Sequence, residues 1–351
     1  MKKYILLFIL SFCILLAGCK EKDTVPYEEP VRDTVQEQSV PVDILPEGPL
    51  PVFTSSDPII VTDDTVLTAK EFSFGMQPQN FILIKSGASV VLEDISLDKV
   101  DDGSAEPVKS ETGNALLLGE DSSSITIRKS ILSGEAPYSS AVCLSGNGSS
   151  ANITDSGLSV TGSFSDALHL LGGTASISDS TLISEGESGA AIRVNSGMVS
   201  CKKTLATTSG SESAFAVILN SGILSATDST FNGKMFFEGE NEFTLHNSSV
   251  TGTFCSGSDI SSVVFRLTEY SSLISNCDDS ACGIQLFIDK TCSWELQSDI
   301  YLDTLTLEDP DFSIIKDNGF SVYYNSENTE NAWLEGRTYM LQDGGCIAPL
   351  I

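Results

Sequence analysis

The chain has 351 residues, with 48 acidic against 19 basic side chains and a formal net charge of −29. That excess disfavours nucleic acid and anionic lipid surfaces as partners held by charge, because nothing offsets phosphate repulsion. The two histidines, His169 and His246, and the lack of a Cys-x2-Cys pair disfavour zinc, and no EF-hand or Gly-rich calcium repeat is present, so neither metal nor cofactor is expected.

The chain opens with Lys2-Lys3 and an apolar run from Tyr4 to Leu16, short for a membrane span and suited to an export leader. Leu16-Ala17-Gly18-Cys19 resembles the lipobox of bacterial lipoproteins. The resemblance implies a signal peptide over residues 1–18, cleavage before Cys19, and a diacylglyceryl thioether on its sulfur. Two or more acyl chains on one residue anchor stably, so the expected partner is a lipid bilayer. Lys20, rather than Asp, after the lipid-bearing Cys resembles outer-membrane sorting, which places the protein at the outer membrane or cell surface. Residues 19–50 are acidic, rich in Pro, Glu, Gln and Thr, and lack an apolar period. They read as a disordered tether.

From residue 51 the sequence becomes apolar in short alternating runs. Pro58-Ile59-Ile60-Val61-Thr62 is expected to form an N-terminal cap strand, because a solenoid must cover its ends. Phe81-Ile82-Leu83-Ile84 and Val90-Val91-Leu92-Glu93-Asp94 form an early coil. Between this coil and the next, the acidic stretch 98–113 reads as a protruding loop, the kind of segment on which function is often carried.

The following stretch repeats one phrase five times: Ala115-Leu116-Leu117-Leu118, Ala141-Val142-Cys143-Leu144, Ala167-Leu168-His169-Leu170, Ala191-Ile192-Arg193-Val194 and Ala216-Val217-Ile218-Leu219. Their starts lie 26, 26, 24 and 25 residues apart. The alternation has period two, so each phrase is a strand. Aligned on the alanines, Leu116 and Leu118 point inward and Leu117 outward. The outward column then runs Leu117, Cys143, His169, Arg193, Ile218. A second phrase follows each first one, as in Ile153-Thr154-Asp155-Ser156-Gly157-Leu158 and Ile177-Ser178-Asp179-Ser180-Thr181-Leu182. Cys201-Lys202-Lys203-Thr204-Leu205 reads as a copy one residue short. About 25 residues is too few for a strand–helix–strand unit and suits short strands joined by tight turns and stacked coil on coil. Inward Ile, Val and Leu then form columns, and Asp, Asn and Ser at the turns can satisfy neighbouring backbone groups.

These phrases resemble the right-handed parallel β-helix of the pectate-lyase-like superfamily. The expected fold is all-β: a single-stranded right-handed parallel β-helix with N- and C-terminal caps over residues 51–351. Its core coils occupy about 80–310, and the last coils and cap 311–351. Parallel crossovers favour the right hand independently. A β-sandwich would need regular hairpin signals, and Asn232-Gly233 is not one of a series. After Gly233 the period degrades, and Ile300 to Leu307 reads as one run.

Nine cysteines include Cys13 in the leader and the lipid-bearing Cys19. Cys277 and Cys282 bracket a short polar loop and are a candidate disulfide, which an exported protein permits. Cys201 fits an inward column and Cys143 an outward one. In the superfamily the substrate groove runs along a comparable outer face, with carboxylates, Arg or Lys carrying the chemistry. Here the candidates are His169 as a base, Arg193 as a base or charge stabiliser, and Asp166 at the edge. They form no paired-Asp constellation and no Arg-x-Pro-x-x-Arg-like motif. Asp63-Asp64, Asp101-Asp102 and Asp278-Asp279 sit in polar loops. The favoured function is a non-catalytic surface or periplasmic lipoprotein that displays a β-helix for binding or adhesion to a host protein or glycan. The alternative is a polysaccharide lyase or glycoside hydrolase acting on an acidic glycan.

Overall fold

The Asp-Ser phrase is a corner. In the computed structural model Asp94, Asp155, Asp179, Asp228 and Asn247 all sit with φ between 45° and 53°, the left-handed region that Asp and Asn tolerate best. Lys129 and Lys203 occupy the same column at φ 48° and 49°. The residue after each is a buried Ser or Thr, except at Asp94, which Ile95 follows. The hydroxyl donates to the carbonyl two residues back, as Ser156 does to Thr154 at 2.7 Å. The same oxygen accepts an N–H from the coil before it. Ile95 N–H donates to Ser130 Oγ, Ser130 N–H to Ser156 Oγ and Ser156 N–H to Ser180 Oγ, each at 3.1 Å. The ladder resumes from Thr204 N–H to Ser229 Oγ (3.0 Å), Ser229 N–H to Ser248 Oγ (3.0 Å) and Ser248 N–H to Ser271 Oγ (3.2 Å).

The structure describes residues 52–55, 58–68, 71–75, 79–100, 112–257, 261–277 and 283–350. The leader, Cys19 and the tether, residues 101–111 of the expected loop, and Cys282 with Asp278-Asp279 lie outside the described residues. A typical coil consists of Ser140–Ser145, Ser150–Thr154 and Gly157–Val160, and each strand pairs in parallel with its counterpart one coil on. The second strands form an eleven-stranded sheet, one strand per coil. The result is a right-handed parallel β-helix with one continuous interior. Ile127, Ile153, Ile177 and Cys201 stack in that interior, and further on Phe243 and Phe265 stack at 4.9 Å.

Several registers differ from the sequence reading. Val142 pairs with Leu117, not Leu116, so Leu117 faces the core and Leu118 is the outward residue. Ile192 pairs with Ala216 and Arg193 with Val217, so Ile218 faces inward. Cys201 pairs with Ile177 and Leu205 with Thr181, so that copy is full length and the exposed Leu205 belongs to the outer face. Strand Ser96–Val100 extends into what reads as loop. There Lys99 is buried, donates to the carbonyls of Gln79 (2.8 Å) and Asn114 (3.0 Å), and is lowered by burial to about 7.

Beyond residue 230 the coil contracts. Thr230–Glu238 is one strand that pairs with Leu205–Thr207 through its first residues and with Ala214–Leu219 through its last. The corner between third and first strands is gone, replaced by Gly233 at φ 127°. Gly252 stacks on it, and a Cβ there would lie 1.7 Å from Gly233 O, so glycine is required.

The C-terminal cap takes over where the coils end. Ile300–Leu302 joins Val322–Tyr324 and Cys346–Pro349 in a small sheet, separate from Thr304–Leu307, so the run read as one strand is two. This sheet includes one antiparallel pair, Tyr339–Met340 with Cys346–Pro349. The 3-10 helix Thr329–Leu334 covers the last edge of the eleven-stranded sheet. Leu305 N–H donates to Asn331 Oδ1 (2.9 Å), and Leu305 O accepts from Trp333 Nε1 (2.8 Å). The edge is thereby satisfied and closed to further strands.

Asp317 pins the final turn. Its buried carboxylate accepts the N–H groups of Asp343 (2.9 Å), Gly345 (2.7 Å) and Gly319 (3.3 Å). Burial pushes this carboxyl up, but the backbone donors outweigh burial and hold it below the ordinary value of 3.8. A depressed carboxylate stabilises fully above that value, and the contribution is lost as pH falls through the lower folded one. Asp317→Asn should therefore melt below wild type at neutral pH. The gap should close in acid, measured by thermal unfolding across that range.

Candidate functional site

The outward column of the first strands, correctly registered, runs Leu118, Cys143, His169, Arg193, Val217, Phe236. Its neighbours in the same pleat are Asp166, Ala190, Ala214 and Lys234 on one side and Leu171, Asn195, Leu219 and Glu238 on the other. Two small apolar clusters lie outside the main core on this wall, one around Leu118 and Cys143 and one around Ala214 and Val217. A polar trio separates them.

That trio is Asp166, His169 and Arg193. Asp166 opens its strand at a corner, and its Oδ1 accepts Ala190 N–H at 2.9 Å, where a ladder bond would otherwise fall. Arg193, one rung along, grips the same carboxylate with two donors, Nε to Oδ2 at 2.7 Å and Nη2 to Oδ1 at 3.1 Å. His169 Nδ1 lies 3.3 Å from Oδ2. The Asp166 side chain is only 5% exposed and that of Arg193 23%. Three donors thus crowd one carboxylate, with His169 Nδ1 beside it, which leaves it little capacity to take a proton from a ligand. The geometry makes Asp166 an anchor that orients Arg193 and His169.

A groove of about 520 Å³ begins at Arg193 and runs along the axis toward Cys255. Val217, Leu219 and Phe236 give it an apolar floor, and Glu212, Lys234 and Glu238 a charged margin. Lys234 and Glu212 meet across it at 2.6 Å. The groove lies where the coil contracts. Upstream coils carry a corner loop with Ser188 and Glu212 in the left-handed region, whereas the next coil passes straight through Gly233. The difference in girth is the wall of the groove. Further up the same corner column, Tyr138 and Phe164 stack face to face at 4.9 Å and 7°, with Phe164 46% exposed.

The structure therefore brings together the three residues singled out from sequence. Of the acidic pairs, Asp63-Asp64 is among the described residues, and it lies away from these three. Asp63 and Asp64 brace a turn, Asp64 accepting Ser89 N–H at 2.9 Å. Cys277 ends the strand Ser272–Cys277, and its suggested partner Cys282 lies outside the described residues. Cys201 is in the core, and burial pushes its thiol up to about 12, as expected of an inert hydrophobe. Among the described residues no group of three His, Cys, Asp or Glu is placed to hold a metal ion. Glu212, Lys234, Phe236 and Glu238 went unrecognised in the sequence, because the contraction that gathers them falls where the repeat breaks.

The fold and this wall define a parallel β-helix with a lateral groove. No protein-family model matches the chain, and no curated protein matches it. Among solved structures it is similar to the tailspike protein gp49 from Pseudomonas phage LKA1, with 10% identity and a TM-score of 0.37 over 70% of this chain and 51% of that one. The chain thus spans about half the length of the tailspike. At that similarity nothing about activity passes from one to the other, and the β-helix rests on the strand registers themselves.

Arg193→Gln should strand the Asp166 carboxylate in a buried setting and cost about 3 kcal/mol. Adding Asp166→Asn should restore much of that loss. Denaturant midpoints of the two single variants and the double variant measure it, and additive losses would exclude the coupling.

Proposed function

We propose that the chain is a membrane-anchored lipoprotein that displays its β-helix as a binding module. The ligand, a glycan or host protein, is held in the groove that starts at Arg193, without turnover. The bilayer is engaged through acylated Cys19, and the acidic tether holds the helix away from it, at the outer membrane or cell surface. The observation that carries the binding reading is the groove of about 520 Å³ with an apolar floor and a charged margin. Such concave, largely apolar sites with a few fixed polar groups are the usual form of a ligand site. The saturated state of Asp166 argues against that carboxylate as a general base. A general base needs a free lone pair within reach of the substrate proton, and here three donors occupy the carboxylate, with His169 Nδ1 close by.

A second reading has one observation in its favour: Asp166, His169 and Arg193 do converge. On that reading the protein is a carbohydrate-active enzyme for an acidic glycan, with His169 as base and Arg193 stabilising the developing anion. One assay separates the two. The purified protein is offered glycan arrays, host-protein extracts and uronate polymers, with and without calcium. Binding should be saturable, without product formation, and weakened at least about tenfold by Phe236→Ala. Product release abolished by His169→Ala would replace this reading with the enzymatic one.

The anchor is tested in cells. Labelled fatty acid should enter wild type and not Cys19→Ser, which should accumulate as precursor or be released. Equal labelling of the two would remove the lipoprotein assignment.

A further inference from the structure

A second hollow, of about 300 Å³, lies on a different wall, where the last rungs of the eleven-stranded sheet meet the 3-10 helix. Its floor is two outward columns in adjacent register: Val264, Gln285, Thr304 and Arg266, Phe287, Thr306. The Arg266 guanidinium lies over the Phe287 ring, its central carbon 5.8 Å from the ring centre, within reach of a cation–π contact. Glu330 borders the hollow from the helix. Its backbone is fixed, since its N–H donates to the cap residue Asn328 (3.1 Å) and the helix is tied to the sheet edge through Asn331 and Trp333.

Among the described residues neither Arg266 nor Glu330 takes part in an ion pair. Arg193, Lys234 and Arg337 all do. Two opposite charges thus line one hollow without an ion pair between them, together with an apolar ring and the side chains of Thr304 and Thr306. The chain as a whole carries −29, so a simple anion approaching Arg266 is opposed by the surrounding field. A ligand that brings its own positive charge for Glu330 is not.

We propose that this hollow is a binding site for a zwitterion, specifically a free α-amino acid with an aliphatic side chain. The forked guanidinium of Arg266 holds the carboxylate with two parallel hydrogen bonds. Glu330 receives the ammonium group. The side chain rests against Phe287 and Val264, and Thr304, Thr306 and Gln285 complete the polar contacts. This site is independent of the groove and of the reading given to it.

Titration calorimetry of the full protein with leucine, N-acetyl-leucine and leucinamide tests the assignment. Leucine should bind saturably. N-acetyl-leucine lacks the ammonium and leucinamide the carboxylate, and each should bind at least about tenfold more weakly. Arg266→Gln should lose leucine by at least the same factor, and Arg266→Lys, which keeps the charge but not the fork, should also weaken it. Arg128→Gln, on an earlier rung of the same sheet, should bind as wild type. The proposal is overturned by the absence of saturable heat with leucine at millimolar concentration. It is equally overturned by N-acetyl-leucine binding as tightly as leucine, or by Arg266→Gln retaining wild-type affinity.

Discussion

The whole molecule depends on a backbone N–H that has no strand to bond. At each corner between second and third strands the chain turns inside the protein, and its N–H groups cannot reach water. A buried unsatisfied donor costs about 1–3 kcal/mol, and a solenoid repeats the problem at every coil. The seryl and threonyl hydroxyls solve it by bonding up and down the stack at once, one lone pair to the neighbouring coil and the proton to their own coil. That double bond sets the distance between coils and forbids sliding. A coil shifted by one residue would put an Asp where the hydroxyl belongs and turn every side chain of the adjoining strands to the other face.

Register maintained in this way is what gathers side chains from successive coils on an outer wall. Asp166 and Arg193 are separated by 27 positions in the chain, yet their contact is as reliable as one between adjacent residues, because the stacking of rungs makes it local. The groove arises differently. It needs the stack to change girth, and the fused strand Thr230–Glu238 supplies that change by deleting a corner. The apolar side chains on its floor are what an outward strand exposes when the neighbouring coil is wider than its successor. Regularity positions the trio, and a break in regularity makes the space beside it.

The legibility of the sequence follows the same division. Strand phrases, Asp-Ser corners and the parallel solenoid are readable because each is fixed within one coil by backbone preference and burial: Asp155 for the left-handed corner, Ser156 for the ladder, Ile153 for the core. Register between coils is less readable. The first copy offers Leu116, Leu117 and Leu118 in a row, and nothing in three leucines says which one faces out. Farther on, Ala214 and Ala216 both resemble the alanine that opens a phrase, and pairing Ala214 with Ala190 reverses the facing read for Ile218. The contraction was hidden because its mark is a glycine pair, Gly233 and Gly252, whose meaning appears only when the two are stacked. His169, Arg193 and Asp166 survived these errors because they lie on two adjacent rungs whose alignment was right.

The charge distribution shows the same economy. Several carboxylates are turn clamps. Asp289 accepts the N–H groups of Glu269 and Thr291, Asp309 those of Ser313 and Ile314, and Asp299 that of Ser321. For Asp289 burial raises the carboxyl, but the hydroxyl of Thr291 and these backbone donors prevail. For Asp309 the Ser313 hydroxyl leads, and both end below the ordinary carboxylate value. Negative charge is thus part of how successive turns are held, and it accumulates with every coil. Against that background a cation on a wall marks a place where the field is locally reversed. Arg193 and Lys234 do this in the groove with acidic partners beside them, which leaves a nearly neutral, partly apolar surface able to take a large uncharged or mixed ligand. Arg266 does it on the sheet wall against an aromatic ring, with its counter-charge held apart on the helix. The two walls differ in what they reward. In the groove Arg193 and Lys234 are each paired with a carboxylate, so a ligand there would gain chiefly from area, whereas one in the hollow would gain chiefly from charge geometry.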